Sequence, residues 1–416
     1  MDKLRISGGK KLSGTVRIAG AKNAALPALT ASILTGDTLQ LENLPGVADV
    51  RTMLRLLDHI GAVQQRDDAQ CRISFPELKS HEAPYEMVKT MRASVLVLGP
   101  LLARFGRARV SLPGGCAIGD RPINLHLDAL ARMGAELLIE HGYVDARCRR
   151  LRGAKIFFDI PTVTGTENIL MAASLADGRT ELHNCAREPE VVDVARLLRG
   201  MGAQIEGEGS ERIVIRGVER LHGTSHTVIP DRIEAGTYMT AAAITEGDVL
   251  IEQCRPDHLD ALISLLTATG QVVEEDNARI RVKGRRPIRP HDARTAPYPH
   301  FPTDMQAQFM AFMTQANGIS MITEEIFNNR FMHVRELCRM GANIQVAGSR
   351  AVVTGPTPLS GANVMATDLR ASASLVVAAL AAAGDTVIER VYHLDRGYER
   401  MEQKMMGLGA VVERIR

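Results

Sequence analysis

Cys116 lies in a glycine-rich segment whose composition suits a reactive thiol. The segment, residues 113–122, reads PGGCAIGDRP, and we expect a helix to begin at its end. A thiolate is stabilised by a nearby guanidinium, here Arg121, and by the positive end of a helix dipole. Glycines also let a loop close over a ligand and open again. The alternative is that Cys116, like most cysteines, is a small buried apolar residue. Its neighbours favour the reactive thiol.

The other five cysteines lie in alternating or apolar stretches, where packing in a strand or in the core explains them: Cys71, Cys148, Cys185, Cys254 and Cys338. The chain has no C-x-x-C pair and no His/Cys cluster at the spacing of zinc ligands, so we predict no metal. Free thiols are typical of a reducing compartment, which predicts a cytoplasmic location.

Length, charge and apolar content indicate the number of domains and argue against a nucleic-acid-binding or membrane protein. A chain of 416 residues predicts two or three domains. The net charge of +2, the interspersed acids and bases and the aromatic content of 4% predict no nucleic-acid partner. The N-terminus lacks an apolar signal core, and the longest apolar run, residues 375–383, is far shorter than the roughly 20 residues of a membrane span. We therefore predict a soluble protein.

Two glycine landmarks recur at a period of about 70 residues. The first ends an apolar helix and opens a short strand, and it occurs at Gly36, Gly106, Gly178, Gly247, Gly318 and Gly384. The second closes an amphipathic helix at its C-terminal end, and it occurs at Gly61, Gly134, Gly202, Gly270, Gly341 and Gly409. The chain therefore contains six copies of one structural repeat.

Each repeat is predicted to form a βαβαββ unit. A leading strand such as residues 155–160 precedes a helix, a strand, a second helix, a strand, a turn and a strand. The first helix, for example residues 372–380, is apolar nearly all round, whereas the second, for example residues 190–198, has a polar face. This pattern indicates buried helices inside and sheets outside. Six repeats indicate two halves of three, divided near residues 227–230, with a cleft between them.

Basic residues recur where the helices of the repeats begin. A helix macrodipole opposes a cation at the helix N-terminus, so structure alone does not favour arginine there. An isolated arginine at such a position is best explained as a solvated surface charge. A set that recurs at equivalent positions instead indicates anion sites. The loops before first helices carry Lys22, Arg92, Arg232 and Arg370. The predicted starts of second helices carry Arg121, Arg330 and Arg396. If these ends converge on one cleft, they predict a ligand rich in phosphate or carboxylate.

Asp304 is the acidic exception among the loops before first helices. It lies in the segment FPTDMQAQ, residues 301–308. An aspartate at this position is a suitable helix N-cap. In a cleft lined with cations it would instead serve as the general base for a hydroxyl group. The sequence leaves both roles open.

The motifs together resemble the UDP-N-acetylglucosamine 1-carboxyvinyltransferases, enolpyruvyl transferases of the EPSP synthase superfamily, along nearly the whole chain. The resemblance rests on six ordered segments: residues 20–27, 113–122, 301–308, 329–334, 366–372 and 395–400. It implies an α/β fold of two inverse α/β barrel domains, each built of three βαβαββ repeats. It also implies a catalytic domain of residues 1–21 with 230–416, and a second domain of residues 22–229 that carries the Cys116 loop.

The resemblance also implies a reaction. Members of the family transfer the enolpyruvyl group of phosphoenolpyruvate to the 3′-hydroxyl of UDP-N-acetylglucosamine, releasing phosphate by addition and elimination. This is the first committed step of peptidoglycan biosynthesis, which links the family to cell-wall formation, cell shape and cell division. The two substrates are the expected partners and no cofactor is expected. The oligomeric state is not determined by the sequence.

The matching positions imply roles for individual residues. Lys22, Arg121 and Arg396 match the cations that hold phosphoenolpyruvate, with Arg92 and Arg370 in support. Asp304 matches the base, and Cys116 matches the cysteine that is assigned as an acid, as an adduct former and in product release, and that fosfomycin alkylates. The implied catalytic residues are therefore Lys22, Cys116, Asp304 and Arg396. The implied substrate-binding residues are Lys22, Asn23, Arg92, Arg121, Pro122, Ile123, Asn124, Leu125, Thr162, Val163, Thr164, Asp304, Ile326, Phe327, Asp368, Leu369, Arg370 and Arg396.

Two departures from the family pattern concern the nucleotide side. Asn124 stands where some relatives carry Asp, and residues 162–165 read TVTG in place of a Ser-Val-Gly form. The contacts with uracil and diphosphate therefore stay open, whereas the reaction centre matches.

Three other functions are compatible with parts of the sequence. A 3-phosphoshikimate 1-carboxyvinyltransferase shares the fold and phosphoenolpyruvate, but the cysteine loop and the segment around Asp304 argue against it. A catalytically silent UDP-sugar sensor would keep the cleft without turnover, and the four implied catalytic residues argue against it. A cysteine hydrolase is the weakest alternative, because the sequence places no histidine beside Cys116 as its base.

Overall fold

The computed structural model describes residues 2–112 and 123–416. Contacts divide these residues into two compact units. Unit 1 comprises residues 2–19 and 230–416, and unit 2 comprises residues 20–112 and 123–229. Each unit has a hydrophobic core of its own. The predictions for Cys116, Arg121 and Pro122 fall on residues 113–122 and lie outside the described residues.

The helices follow the predicted alternation of an apolar first helix and an amphipathic second helix. Short 3-10 helices accompany them at Ser32–Leu34, Arg92–Val97, Pro256–His258, Thr303–Met305 and Val391–Arg396. The α-helices of the described residues are α1 Lys22–Ala31, α2 Ala48–Ile60, α3 Tyr85–Val88, α4 Leu98–Phe105, α5 Asn124–Arg132, α6 Val163–Ala173, α7 Pro189–Gly200, α8 Arg232–Ile244, α9 Asp260–Ala268, α10 Gln306–Met313, α11 His333–Arg339, α12 Leu369–Ala381 and α13 Met401–Gly407.

The strands are short, as a sixfold repeat of small sheets requires. Those of the described residues are β1 Lys3–Ser7, β2 Ser13–Arg17, β3 Leu39–Glu42, β4 Val63–Asp67, β5 Gln70–Ser74, β6 Glu82–Ala83, β7 Arg107–Ser111, β8 Glu136–Glu140, β9 Tyr143–Arg147, β10 Lys155–Phe157, β11 Arg179–His183, β12 Gln204–Glu206, β13 Arg212–Arg216, β14 Ser225–Thr227, β15 Asp248–Glu252, β16 Val272–Asp276, β17 Arg279–Lys283, β18 Ala293–Arg294, β19 Gly318–Thr323, β20 Asn343–Ala347, β21 Arg350–Gly355, β22 Asn363–Met365, β23 Asp385–Glu389 and β24 Val411–Ile415.

Six four-stranded sheets form within residues 2–112 and 123–416, one for each predicted repeat. In each sheet a leading strand pairs in parallel with a second strand, and two antiparallel strands complete the sheet. The strand orders are β14-β3-β5-β4, β6-β7-β9-β8 and β10-β11-β13-β12 in unit 2, and β2-β15-β17-β16, β18-β19-β21-β20 and β22-β23-β1-β24 in unit 1. The repeated order confirms the βαβαββ interpretation.

Three sheets borrow a strand from a distant part of the chain, which the sequence pattern did not predict. β14 leads the sheet of repeat one, and β2 leads the sheet of repeat four. β1 lies between β23 and β24 in the sheet of repeat six. The prediction that each repeat supplies its own leading strand is therefore wrong for repeats one and four. Repeat three keeps its own leading strand, which ends at Phe157 rather than at residue 160.

Burial confirms the predicted placement of helices and sheets inside each unit. Every residue of α10 is buried, and α8, α10 and α12 pack against one another in the core of unit 1. Many strands alternate exposed and buried side chains, as β17 shows, whereas the outer strands β4, β8 and β16 bury none. The six glycines predicted to end second helices all have positive φ, from 89° to 136°.

Candidate active site

Asp304 lies in unit 1 between two buried arginines. Its Oδ1 accepts a hydrogen bond of 2.7 Å from Nη2 of Arg330. Its Oδ2 accepts bonds of 2.8 Å from Nη2 and 3.1 Å from Nε of Arg370. Both arginine side chains are 5% exposed, and the Asp304 side chain is 26% exposed. The carboxylate therefore holds two guanidinium groups while keeping an open face.

This arrangement excludes one of the two roles that the sequence left open for Asp304. The residue is in the 3-10 helix Thr303–Met305, directly before α10, and neither helix has a side-chain cap. The capping role is therefore wrong. Burial alone would raise the pKa of the Asp304 carboxyl, but Arg370 and Arg330 hold that pKa well below its usual range. The same carboxylate raises the pKa of Arg370 against the effect of burial.

A second carboxylate, Glu324, organises the surroundings of this cluster. Its Oε2 accepts a bond of 2.8 Å from the hydroxyl of Thr303, and Thr303 in turn accepts 2.9 Å from Nη1 of Arg330. Its Oε1 accepts the backbone N–H groups of Ile326 at 2.9 Å and Phe327 at 3.1 Å. The Phe327 ring lies 5.1 Å from the Arg330 guanidinium carbon. Two residues of the predicted nucleotide-sugar site are thereby tied to the Asp304 cluster.

The start of α12 supplies three predicted binding residues. Asp368 caps the helix, accepting 2.9 Å from the backbone N–H of Arg370, and Leu369 is the first helical residue. The cap lets Arg370 enter the helix at its second position, where its side chain reaches Asp304. Arg370 also donates 3.3 Å to the hydroxyl of Tyr398.

Two arginines predicted to begin second helices lie elsewhere. Arg396 is the last residue of the 3-10 helix Val391–Arg396, and the second helix α13 begins only at Met401. Arg330 lies three residues ahead of α11, which begins at His333. The prediction of helix-start positions is wrong for both, because residues 397–400 and 331–332, which are not helical, separate the two arginines from the helices. Sequence reasoning placed Arg330 in the recurring basic set but not among the implied binding residues, and it missed Glu324 altogether, because only tertiary contacts connect the two residues to Asp304.

In unit 2, Lys22 lies at a helix start, but it is the first residue of α1 rather than a residue of the preceding loop, and Asn23 is the second. The Lys22 ammonium lies 3.2 Å from Oδ2 of Asp49 on α2. The two side chains are 12% and 6% exposed, so the pair is largely shielded from water. Asp49 offsets a cation that the dipole of α1 opposes, and it fixes the direction of the Lys22 side chain.

The other unit 2 candidates lie at or next to helix starts. Arg92 begins the 3-10 helix Arg92–Val97. Thr162 caps α6 by accepting the N–H of Gly165 at 3.2 Å. The remaining candidates are Ile123 directly before α5, Asn124 and Leu125 as its first residues, and Val163 and Thr164 as the first residues of α6.

A buried histidine, which sequence reasoning missed, connects these helix starts. Nδ1 of His126 lies 2.9 Å from the amide nitrogen of Asn168, and Nε2 lies 3.3 Å from the Thr164 hydroxyl. Burial lowers the pKa of His126 to about 4, and the charge of Arg92 adds to the effect. The imidazole is therefore neutral at pH 7, with Nδ1 accepting from Asn168 and Nε2–H donating to Thr164.

The five described cysteines are free. Cys71, Cys185 and Cys254 are buried, and burial raises the thiol pKa of Cys185 to about 12 and of Cys254 to about 11. These two are thus poor nucleophiles at neutral pH. The expectation that packing explains all five is wrong for Cys338, which is exposed on α11.

Neither a metal centre nor a membrane span is found in the described part of the chain. Residues 2–112 and 123–416 contain no group of three or more His, Cys, Asp or Glu side chains arranged to hold a metal ion. Over the same residues, the helices lack the combination of length and apolar character that a membrane crossing requires.

The chain is similar to known proteins along its whole length. It is 56% identical over 419 aligned residues to the UDP-N-acetylglucosamine 1-carboxyvinyltransferase of Koribacter versatilis (strain Ellin345), covering 100% of this chain and 97% of the relative. The crystal structure of the enolpyruvyl transferase NikO from Streptomyces tendae superimposes with a TM-score of 0.90 at 27% identity, covering 100% of this chain and 99% of that chain.

A more distant structure shows the fold alone. EPSP synthase from Acinetobacter baumannii superimposes with a TM-score of 0.78 at 20% identity, with both chains covered completely. The predicted fold of two inverse α/β barrels is confirmed by these superpositions, since both span the full chain. The sequence model of the family described as EPSP synthase (3-phosphoshikimate 1-carboxyvinyltransferase) matches residues 6–405. Because that match takes in nearly every repeat, the chain belongs to the EPSP synthase family of enolpyruvyl transferases.

Proposed function

We propose that this protein is a UDP-N-acetylglucosamine 1-carboxyvinyltransferase. It transfers the enolpyruvyl group of phosphoenolpyruvate to the 3′-hydroxyl of UDP-N-acetylglucosamine and releases phosphate. The observation that carries the proposal is the 56% identity, over the full chain, to a relative of that name. The 20% identity to EPSP synthase supports the common fold but not the shikimate acceptor.

Asp304 is proposed as the base that accepts the proton of the sugar hydroxyl. A carboxylate held by two guanidinium groups is a weak base, because proton binding would leave both cations uncompensated. An anionic substrate offers Arg330 and Arg370 an alternative partner. When a guanidinium group turns to the substrate, the pKa of Asp304 rises and the carboxylate becomes a better base. Substrate binding and base activation are coupled in this proposal.

Five of the predicted cations are proposed to bind phosphoenolpyruvate. Lys22, Arg121 and Arg396 hold its phosphate and carboxylate, with Arg92 and Arg370 in support. Guanidinium and ammonium groups also stabilise the charge of the tetrahedral intermediate, which favours both addition and elimination. Cys116 is proposed to give a proton to the methylene carbon, to form an adduct with phosphoenolpyruvate and to assist product release, and it is the proposed target of fosfomycin.

The nucleotide sugar is proposed to bind at helix starts and at the Phe327 loop. Its proposed contacts are Asn23, Pro122, Ile123, Asn124, Leu125, Thr162, Val163, Thr164, Asp304, Ile326, Phe327, Asp368 and Leu369. Free thiols in the described residues support a proposed cytoplasmic location. The product feeds the assembly of peptidoglycan.

A phosphate-release assay with alternative acceptors tests the function. The purified protein is incubated with phosphoenolpyruvate and either UDP-N-acetylglucosamine or 3-phosphoshikimate. We expect phosphate release with the nucleotide sugar and none above background with the shikimate. Release with 3-phosphoshikimate alone would overturn the proposal in favour of the family's other activity, and release with neither would favour a UDP-sugar sensor.

Asp304→Asn provides the variant for this assay. We expect turnover to fall by about 10²–10⁴-fold, the usual contribution of a general base. Asp257→Asn is the matched control, because Asp257 also pairs with an arginine of unit 1, Arg255, at 2.7 Å. That variant should keep normal turnover. Equal turnover in both variants would remove Asp304 from the mechanism.

A further inference from the structure

The segment that carries Arg396 adopts an unusual backbone conformation. Arg396 ends the 3-10 helix Val391–Arg396. The residue before this helix, Arg390, has φ 58°, and Arg400, which precedes α13, has φ 46°. Left-handed conformations are uncommon for residues other than glycine and persist where the surroundings impose them. Asn43, Asn184 and Gln253 share the conformation of Arg390 at the matching point of other repeats, and in this segment contacts from outside are added to it.

Arg414 on β24 provides these contacts from one guanidinium group. Its Nη2 and Nη1 donate to the two oxygens of Asp395, at 2.7 and 3.0 Å. Its Nε and Nη2 donate to the two oxygens of Glu402, at 3.0 and 3.2 Å. One side chain therefore joins the residue before Arg396 to the second residue of α13. Residues 395–402 are thereby closed into a loop with Arg396 inside it.

The strand that carries Arg414, β24, is itself held by hydrogen bonds to a neighbouring strand. β24 pairs along its whole length with β1, and Arg414 lies opposite Leu4. The Arg414 side chain is 25% exposed and that of Glu402 15%, so water screens the bonds only in part. Charge-assisted bidentate bonds of this kind are stronger than neutral hydrogen bonds. A lysine could not replace the arginine, because its single ammonium group cannot form bidentate hydrogen bonds with two carboxylates at once.

The middle of the loop is fixed on the opposite side. Gly397 approaches Leu369 so closely that a Cβ atom would lie 2.7 Å from Cδ2 of that residue. The hydroxyl of Tyr398 lies within 3.3 Å of Nη1 of Arg370 and 2.9 Å from the hydroxyl of Thr237. The loop is thus held between β24 and the start of α12. Arg396 lies between its two points of attachment.

We propose that Arg414 is a positioning residue of the active site, which holds Arg396 where its charge meets phosphoenolpyruvate. This inference rests on the proposed function, which assigns phosphoenolpyruvate to Arg396. It extends beyond the family match, since that match ends at residue 405. It also explains the order of residues 395–398: the aspartate binds Arg414, the glycine contacts Leu369 and the tyrosine binds Arg370.

The test compares Arg414→Ala with Arg414→Lys and a matched control. Arg281 serves as the control, because it forms a bidentate pair with Asp248 at 2.7 and 2.8 Å on another sheet of unit 1. We expect Arg414→Ala to raise the KM for phosphoenolpyruvate by about tenfold or more, while the KM for UDP-N-acetylglucosamine changes by less than about twofold. Arg414→Lys should recover only a small part of the loss, and Arg281→Ala should behave as wild type.

Two further measurements separate positioning from a loss of stability. Amide hydrogen exchange should speed up at residues 391–400 in Arg414→Ala, with the sheets of unit 2 unchanged. If that variant fails to fold, Asp395→Asn replaces it, because it keeps the bonds between Arg414 and Glu402 and weakens only the link next to Arg396. An unchanged KM for phosphoenolpyruvate, or an equal rise for both substrates, would overturn the inference.

The failure of the proposed function gives a different result. If wild-type protein turned over neither acceptor, the proposed function would be wrong and no KM could be measured. Hydrogen exchange of residues 391–400, with and without phosphoenolpyruvate, then decides the structural part. Protection of this segment by phosphoenolpyruvate in wild type but not in Arg414→Ala supports the inference, and no protection in wild type overturns it.

Discussion

At the scale of single residues, the pairing of Asp304 with two buried arginines keeps its carboxylate charged. Two guanidinium groups in a site largely shielded from water need an anion close by, and Asp304 is the carboxylate that both contact. The residue therefore stabilises the folded state before any substrate binds. Its proposed role in turnover and its role in stability are separable by experiment.

Asp304→Asn is expected to destabilise unit 1 by about 3 kcal/mol at neutral pH, because the substitution leaves two buried cations without their anion. Urea unfolding of wild type and variant measures the difference. Asp257→Asn again provides the control, since its arginine pair is exposed and should contribute less than about 1 kcal/mol. A variant as stable as wild type would show that the two arginines have other sufficient partners.

The lowered pKa of Asp304 predicts how the stability difference between wild type and Asp304→Asn depends on pH. The pKa of Asp304 is lower in the folded than in the unfolded protein, so its contribution is complete above the ordinary aspartate pKa. It is lost as the pH falls through the lower pKa of the folded state. The stability difference between wild type and Asp304→Asn should therefore shrink only below about pH 4. A difference that already shrinks between pH 7 and 5 would contradict the lowered pKa.

Selective alkylation tests the assignment of Cys116. Fosfomycin should modify Cys116 and abolish turnover, and Cys116→Ser should resist modification and lose most of its activity. Cys338 is the thiol to exclude, because it is exposed on α11. Cys338→Ser is therefore the matched control, with wild-type labelling and turnover expected. Peptide mapping by mass spectrometry that places the adduct chiefly on Cys338 would contradict the assignment.

The parts of the site that were predictable depend on one local property, the residue type at a helix start. Lys22 and Arg370 lie at the predicted helix starts, although they occupy the first and second positions of α1 and α12 rather than the preceding loops. The contact of Arg330 with Asp304 was not predictable, because 26 residues separate them and the contact arises only when repeat five folds. For the same reason Arg414, a residue of a terminal strand, carried no signal in the sequence.

At the scale of secondary-structure elements, the close approach of α4 and α6 explains a glycine inside a helix. A Cβ at Gly99 would lie 2.2 Å from Oδ1 of Asn168, which accepts 2.8 Å from the N–H of Gly99. The other end of the Asn168 amide donates to His126. This contact therefore connects the packing of two helices to the start of α6, where Thr164 lies.

Gly99→Ala is expected to destabilise the protein by about 1–3 kcal/mol, because the added methyl group overlaps the Asn168 amide. Gly407 provides the matched control, since it is also helical and a Cβ there meets nothing within 4 Å. Gly407→Ala should be neutral or slightly stabilising, because alanine is the better helix former. Thermal unfolding measures both. Equal melting temperatures for the two variants would show that α4 and α6 separate at little cost.

The same elements show how far sequence reasoning extended. Periodic glycines and apolar helices were visible because they follow from local conformation and burial, and they predicted the repeats correctly. The exchange of β1, β2 and β14 between distant parts of the chain was not visible. A short strand with alternating polar and apolar residues has a pattern that fits any of the six sheets. The strand with which it pairs therefore depends on how the chain closes each sheet, and not on the sequence of the strand itself.

At the scale of the whole molecule, the chain builds two cores and closes each one with a strand from elsewhere in the sequence. In unit 1 the first strand, β1, lies between β23 and β24, so residues near the two ends of the chain share a sheet. In unit 2 the corresponding closure is made by β14 beside β3. Each core should therefore depend on its own closing sheet.

Leu4→Ala and Leu41→Ala test this independence. Leu4 on β1 and Leu41 on β3 are 1% and 0% exposed, so each truncation removes contacts from one core and should cost about 2–5 kcal/mol. In Leu4→Ala, hydrogen exchange should speed up at β1, β23 and β24 while β3 and β5 keep their protection, and Leu41→Ala should give the reverse pattern. Because Arg414 lies opposite Leu4, the first variant should also raise the KM for phosphoenolpyruvate, whereas the second should not. Uniform loss of protection across both units in either variant would show that the two cores unfold as one.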